Sequence, residues 1–208
     1  MIRNGLLPGM LILLLGFGEA SAETSDLTIG YGYQWGGGLT VTRGRLEIDN
    51  APQFNITFDY PMRQGVKFEA YLCRQSTHLT AVIEDVLPDT LERDSFGLDI
   101  WYWHVGGVYE LRVGEPVRPY GVVTVGGTTL APTESGINTN NLFSVGLGGG
   151  IKAFFTDHFG LRLDGRGIIS FIYATGDLFC GTPAGCYESI GGETFTQGQL
   201  SIGAMFAY

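Results

Sequence analysis

The segment FTQGQLSIGAMFAY, residues 195–208, closes the chain and decides the fold. Its apolar residues occupy every second position: Leu200, Ile202, Ala204, Phe206 and Tyr208. Small or polar residues stand between them. Because successive side chains of a strand point to opposite faces, this alternation predicts a β-strand with one apolar face. The strand ends on an aromatic residue, and the rest of the chain is expected to supply the sheet that it completes.

The same period of two recurs along the chain, most clearly at residues 54–60, where apolar residues alternate with Asn55, Thr57 and Asp59. We predict eight strands, at residues 27–42, 54–60, 66–73, 96–111, 117–130, 142–155, 161–173 and 195–208. Short turns alternate with longer connections at residues 43–52, 75–94, 131–140 and 176–193. The fold class is therefore all-β: an eight-stranded antiparallel transmembrane β-barrel with short periplasmic turns and longer extracellular loops.

Composition agrees with a barrel whose wall faces lipid. Hydrophobic residues make up 44% of the chain, aromatic residues 12% and charged residues only 16%, and 33 of the 208 residues are glycine. A soluble ligand-holding barrel is the minor alternative for the fold, but apolar side chains such as Phe54 and Phe171 would then project into water. The net charge of −9 argues against a nucleic-acid partner.

Residues 1–22 have the features of a secretory signal peptide. Arg3 precedes an apolar core at residues 6–17, and Ala20-Ser21-Ala22 forms an A-x-A cleavage site. The core is too short for a helix that crosses about 30 Å of hydrocarbon. We therefore predict cleavage after Ala22 and one barrel domain over residues 23–208.

Several charged residues share a strand face with small residues and are predicted to point into the barrel: Asp59, Lys67, Glu69, Lys152, Arg162, Asp164 and Arg166. Unpaired charges in a narrow lumen are costly, so we expect these groups to pair across the barrel. A proton- or ion-conducting path along them is the alternative. Eight strands leave an interior that side chains just fill, which favours pairing.

The cysteines predict one disulfide. Cys180 and Cys186 flank Gly-Thr-Pro-Ala-Gly in the last long connection, and a short turn between two cysteines of an exported protein favours a bridge. Cys73 is left over as a buried free thiol. No metal or cofactor site is indicated.

A catalytic constellation is not predicted. His78, His104 and His158 are the three histidines, and a barrel hydrolase needs one of them beside a serine and an acid. Ser95, Asp99 and His104 lie on one strand, but Asp99 and His104 have opposite parity. Ser76 and His78 share a parity at the start of a long connection, and His158 lies in a short turn. We expect no enzymatic activity.

Three segments resemble a known superfamily. Arg118-Pro119-Tyr120-Gly121 leads into VVTVGGTTL, GLGGGIKAFFTDHFGLRLDGR follows at residues 146–166, and the chain ends on an aromatic strand. Together they are similar to the OmpA-like and OmpW-like small outer-membrane barrels of bacteria. The resemblance implies a place in the bacterial outer membrane, contact with its lipids and lipopolysaccharide, and a C-terminal signal at Phe206 and Tyr208 that the barrel-assembly machinery reads.

Function is less defined than fold. The leading hypothesis is a non-enzymatic barrel with a structural or surface-interaction role through acidic extracellular loops, which also suit divalent-cation bridges to lipopolysaccharide phosphates. The loop acids are Glu47, Asp49, Glu84, Asp85, Asp89, Glu92, Asp94, Glu134, Asp177, Glu188 and Glu193. A narrow channel for small solutes or ions is the alternative, and a lipid-modifying enzyme is the third.

Overall fold

The computed structural model describes residues 24–41, 44–84, 91–172, 177–182, 185–188 and 194–208. The predicted signal peptide lies outside the described residues. The strands are β1 Asp26–Trp35, β2 Gly38–Val41, β3 Gly44–Ile48, β4 Ala51–Arg63, β5 Val66–Glu84, β6 Leu91–Glu110, β7 Val117–Pro132, β8 Asn140–Phe154, β9 Phe159–Phe171, β10 Asp177–Thr182, β11 Gly185–Glu188 and β12 Thr194–Ala207. In the described parts of the chain, no helix is long and apolar enough to cross a bilayer.

Eight of these strands close into an antiparallel barrel in the order β5-β4-β1-β12-β9-β8-β7-β6, with β6 paired back to β5. The final strand β12 lies between β1 and β9, and the register runs from Asp26 opposite Ala207 to Trp35 opposite Gly198. Ser25 and Tyr208 exchange backbone hydrogen bonds of 3.0 and 2.9 Å. The predicted eight-stranded barrel is confirmed.

The two rims of the barrel differ in their connections. At one rim, residues 64–65, 111–116 and 155–158 join consecutive strands, and both described ends of the chain lie there. Gly65 has a φ of 74°, a conformation that favours glycine in so tight a turn. We call this the short-turn rim, and the opposite one the long-loop rim.

Three predicted loops contain strands, and these predictions were wrong. Residues 43–52 contain β3 and the start of β4, residues 75–94 contain the last ten residues of β5 and the first four of β6, and residues 176–193 contain the β10–β11 hairpin. The first predicted strand also breaks at Gly36 and Gly37, both at positive φ, before β2 begins. The charged residues of these segments favour loops over strands that face lipid, but strand pairing that continues beyond the membrane is compatible with charge.

Alternation along the barrel strands separates a lipid-facing surface from the interior. On β12 and at the residue after it, the five apolar residues Leu200, Ile202, Ala204, Phe206 and Tyr208 point outward, as the pattern predicts, and Gln199, Ser201 and Met205 are buried. On β6 aromatic residues occupy both parities, so alternation alone does not predict the facing of this strand; Trp101 and Trp103 point outward and Tyr102 and His104 inward. The site of interest is therefore the enclosed row of inward side chains.

Candidate functional site

Inward side chains change character along the barrel axis. From the short-turn rim outward, the inward row of β5 reads Lys67, Glu69, Tyr71, Cys73, Gln75, Thr77 and Leu79, all buried. The inward row of β9 likewise passes from Arg162 and Arg166 to Ile168, and Ile172 continues it just after the strand. The interior is therefore divided into a charged layer, an amide layer and an apolar cap.

The charged layer fills the half nearest the short-turn rim. It comprises Asp26, Asp59, Lys67, Glu69, Glu110, Lys152, Arg162, Asp164 and Arg166, each at most 5% exposed. Lys152 Nζ donates to Asp26 Oδ2 at 2.8 Å and to Asp59 Oδ2 at 2.7 Å, and it also donates to Glu110 Oε1. One ammonium thus joins carboxylates from three other strands, β1, β4 and β6.

Arginines extend the network toward the barrel centre. Arg162 donates from Nη1 to Asp59 at 2.9 Å and from Nη2 to Glu69 at 2.6 Å. Arg166 binds both oxygens of Glu69, at 2.6 and 3.0 Å, and donates from Nε to Asp164 at 2.6 Å. Fork-to-fork contacts of this kind hold both side chains in fixed geometry. The seven charges predicted to face inward all lie in this one connected layer.

Two members of the network, Asp26 and Glu110, were not predicted from the sequence. Asp26 is the first residue of β1 and shares the inward face of that strand with Thr28. Glu110 is the last residue of β6 and shares the inward face of that strand with Tyr102 and His104. Parity is enough to place both residues inside, but Asp26 lies before the predicted first strand, and aromatic residues on both parities of β6 hide the facing of Glu110. With Arg118, whose guanidinium lies 3.8 Å from Glu110 at the rim, the layer holds equal numbers of acids and bases.

A metal is not the natural occupant of this layer. Oxygens of Asp26, Asp59 and Glu110 lie within 4.8 Å of one another, a spacing that hard cations accept. However, Lys152 Nζ already bridges these three carboxylates, and Lys67 Nζ lies 2.7 Å from Asp26 Oδ2. Two fixed ammonium groups repel a further cation, so the cluster is best described as a set of ion pairs, in which Asp26 Oδ1, Asp59 Oδ1 and Glu110 Oε2 have no hydrogen-bond partner among the described residues.

The amide layer crosses the middle of the barrel. Gln197 accepts from Gln34 Nε2 at 2.7 Å and from the hydroxyl of Tyr102. Gln199 donates to the Tyr71 hydroxyl at 2.7 Å, and the Cys73 thiol donates to Gln53 at 3.0 Å. Cys73 is a buried free cysteine, and it lies in this layer.

An apolar cap closes the interior toward the long-loop rim. Its members are Leu46, Ile48, Leu79, Phe96, Leu98, Ile100, Leu130, Leu142, Ile168, Ile172 and Phe195, and Ile137 from the β7–β8 loop packs against them. The β3 residues reach this position because β3 pairs with β5 beyond the barrel wall, Ile48 opposite Leu79. With so many buried apolar side chains, this layer resembles the hydrophobic core of a soluble globular protein.

The histidines do not form a catalytic triad in the described part of the chain. His104 lies inside, with Nε2 2.8 Å from Ser144 Oγ and Nδ1 2.9 Å from Thr124 Oγ1. Asp99 points outward on the same strand, as its parity predicts. His78 is exposed on the outer wall, and His158 lies at the short-turn rim with Nδ1 3.0 Å from the Ala207 carbonyl.

The predicted disulfide falls on the β10–β11 hairpin, in which Leu178 is opposite Tyr187 and Thr182 is opposite Gly185. The side chains of Cys180 and Cys186 lie outside the described residues, so the bridge stays a prediction. At the other rim Phe206 and Tyr208 point outward, with ring centroids 6.0 Å apart.

Comparison with protein families assigns the barrel to a class. The sequence profile of the family described as "Outer membrane protein beta-barrel domain" matches residues 10–206, almost the whole chain. The chain belongs to this family of outer-membrane barrels. In such barrels the short turns face the periplasm and the long loops face the exterior, which orients the layers described above.

Solved structures share the fold at low sequence identity. Neisserial surface protein A is 11% identical over 88% of this chain and 97% of its own, with a TM-score of 0.57. The outer membrane protein OprG from Pseudomonas aeruginosa is also 11% identical, over 89% of this chain and 96% of its own, with a TM-score of 0.62. A search of curated protein sequences found no significant match.

Proposed function

We propose that this protein is a non-enzymatic, non-conducting barrel of the bacterial outer membrane with a structural or surface-interaction role. The observation that carries the proposal is the apolar cap, because a dry cluster of leucine, isoleucine and phenylalanine side chains bars water and ions from the outer end of the lumen. Each charged side chain of the layer below it forms at least one ion pair within the layer, which leaves little net fixed charge to attract a permeating ion.

Surface interaction would use the long-loop rim. Glu47, Asp49 and Glu134 are exposed there, and a groove of about 530 Å³ is lined by residues 36–38 and 47–50. An acidic rim attracts cations and cationic partners over roughly 10 Å at physiological salt. We include in this proposal a Cys180–Cys186 disulfide that would fix the β10–β11 hairpin at the same rim.

A narrow channel is the second candidate, and the amide layer favours it. Gln34 Oε1, Gln53 Nε2 and Gln75 Nε2 are buried without a hydrogen-bond partner among the described residues. Buried polar atoms of this kind are normally satisfied by water. Water in the two lower layers would leave the apolar cap as the single barrier to conduction.

Single-channel recording tests the two candidates against each other. We expect the refolded mature protein, verified as folded by heat-modifiable gel migration, to give no steady openings in a planar bilayer. Discrete openings that shrink in Arg166→Gln, with Arg112→Gln at the periplasmic rim as the matched control, would establish the channel and overturn the proposal.

A further inference from the structure

Two side chains of the apolar cap come from outside the barrel wall. Leu46 and Ile48 are buried in the cap, but they belong to β3, which is not one of the eight barrel strands. β3 pairs with β5 beyond the wall, and β2 pairs with the other edge of β3. The same cap contains Ile168 of β9, the strand opposite β5 in the barrel order. We call β2 and β3 together the lid, because their inward side chains reach across the outer mouth.

A Gly-Gly junction connects the lid to the barrel. Gly36 and Gly37 lie between β1 and β2 with φ values of 88° and 104°, a region that favours glycine. The Gly36 N–H donates to Asn50 Oδ1 at 3.1 Å, and its carbonyl accepts from Gln197 Nε2 at 3.2 Å. The Gly37 carbonyl accepts from the Ile48 N–H at 3.2 Å. The junction therefore ties both ends of the lid to each other and to β12.

The ring of Phe195 seats this junction against the cap. A Cβ at Gly37 would lie 2.2 Å from Phe195 Cε2, so the ring packs directly on the glycine backbone. Phe195 is 1% exposed and is itself a member of the cap. A side chain at residue 37 must displace either the ring or the junction, and either movement takes apolar side chains out of the cap.

The lid can leave the mouth without opening the barrel. Its attachment to the wall is the ladder between β3 and β5, from Ile48 opposite Leu79 to Gly44 opposite Ile83. Separation of these pairs leaves the whole cycle of barrel pairings, from β5 through β12 to β6 and back to β5, in place. Closure of the mouth and closure of the barrel are therefore separate structural events.

We propose that β2 and β3 form a lid that closes the outer mouth, held in place by Gly37 against Phe195, and that release of this contact opens the lumen from outside as far as Cys73. The inference rests on the proposed non-conducting function and names the segment that closes the lumen. Cys73 is a natural reporter, because its thiol is 1% exposed and lies in the amide layer beneath the cap.

The rate of thiol labelling at Cys73 tests the lid. A water-soluble methanethiosulfonate reagent is added to the refolded mature protein in detergent micelles. Mass spectrometry of the peptide that contains Cys73 then follows this thiol separately from Cys180 and Cys186. We expect Gly37→Ala to be labelled roughly tenfold faster than the wild type, because overpacking shifts the balance between closed and open lid by about that factor.

Gly38→Ala is the matched control. Gly38 lies outside the positive-φ region, and the nearest atom to a Cβ there would be the Leu46 carbonyl oxygen at 3.6 Å, an ordinary contact distance. We expect this variant to be labelled at the wild-type rate. The inference fails if Gly37→Ala is labelled like the wild type, if Gly38→Ala gains equally, or if folded wild type is labelled as fast as protein unfolded in urea.

Heat-modifiable migration shows whether Gly37→Ala folds. If it does not, Phe195→Ala replaces it, since this variant removes the ring without straining the backbone at residue 37. We expect the same gain in labelling, and a wild-type rate in Phe195→Ala would overturn the inference. Conductance of the wild type would overturn the proposed function, whereas faster labelling of Gly37→Ala than of Gly38→Ala would still identify the lid as the segment that controls access to Cys73.

Discussion

At the scale of single residues, Lys152 shows how much of the interior depends on one group. Its ammonium bridges three carboxylates, and its side chain is fully buried. Burying a charge pair yields little net stability, but removing one partner leaves the others buried without compensation. The network is therefore far more sensitive to truncation than the exposed pairs at the rims.

We predict that Lys152→Met destabilises the folded barrel by about 3–5 kcal/mol, the usual cost of leaving a buried charge unpaired. Urea titration of protein refolded in lipid vesicles, followed by heat-modifiable migration, measures the change. Arg112→Met, in the exposed periplasmic turn, should shift stability by no more than about 0.5 kcal/mol. Similar losses in both variants would contradict a special role for the network.

The sequence predicts whether a side chain points into the barrel or out of it wherever the strand and its alternation are clear. The inward set from Asp59 to Arg166 follows directly from alternation along predicted strands. Asp26 and Glu110 required knowledge of a strand start and of one strand's facing, which aromatics on both parities of β6 concealed. Which acid binds which base depends on how far the strands shift around the barrel, and that shift has no local sequence signal.

At the scale of strands, β7 and β8 show that glycines on neighbouring strands have different roles. A side chain at Gly150 would overlap the Leu163 carbonyl and come within 2.8 Å of the Tyr120 hydroxyl, which accepts from Arg162 Nε. Gly121 faces lipid, and an added Cβ there would have no atom within 4 Å. The first glycine makes room for the charged layer, whereas the second is not required by packing.

We predict opposite effects for the two substitutions. Gly150→Ala should destabilise the barrel by about 1–3 kcal/mol, as overpacking does. Gly121→Ala should stabilise it by about 0.5–1 kcal/mol, because alanine loses less backbone entropy on folding. The same urea titration compares them, and a loss of stability in Gly121→Ala would refute the assignment of its open face.

Strand existence was predictable and strand ends were not. The eight barrel strands follow from alternation, but β3, β10, β11, the outer half of β5 and the first four residues of β6 lie where charge suggested loops. Lipid selects apolar outward residues within the membrane, so the pattern is clean there. Above the membrane both faces of a strand can be wet or packed, and the period of two fades.

At the scale of the whole molecule, the interior and the outer wall change polarity in opposite directions. Toward the long-loop rim the interior becomes apolar and the outer wall becomes polar. The apolar cap lies inside at the long-loop end, where the outer wall turns polar at Arg74 and Asp99. All three tryptophans of the chain, Trp35, Trp101 and Trp103, point outward in this half. Their positions offer a direct measure of how the barrel sits in a bilayer.

We predict that tryptophan fluorescence of the protein in vesicles is quenched more by lipids brominated near the headgroup than by lipids brominated near the chain ends. The physical reason is the interfacial depth that the ring of aromatic residues indicates. Stronger quenching by the deep label would place the tryptophans near the bilayer centre. No quenching by either label would contradict membrane insertion of this wall.

The charged layer also acts as a check on strand register. It draws side chains from every barrel strand but the last: Asp26, Asp59, Lys67, Glu69, Glu110, Arg118, Lys152, Arg162, Asp164 and Arg166. A slip of one position would turn a strand's charge outward and orphan its former partners. For a lysine or arginine the exposure to lipid costs about 2–4 kcal/mol at the midplane and about 0–1 kcal/mol near the interface. Misassembled barrels are thus penalised twice, so the charges that contribute little net stability select the one pairing in which the barrel can close.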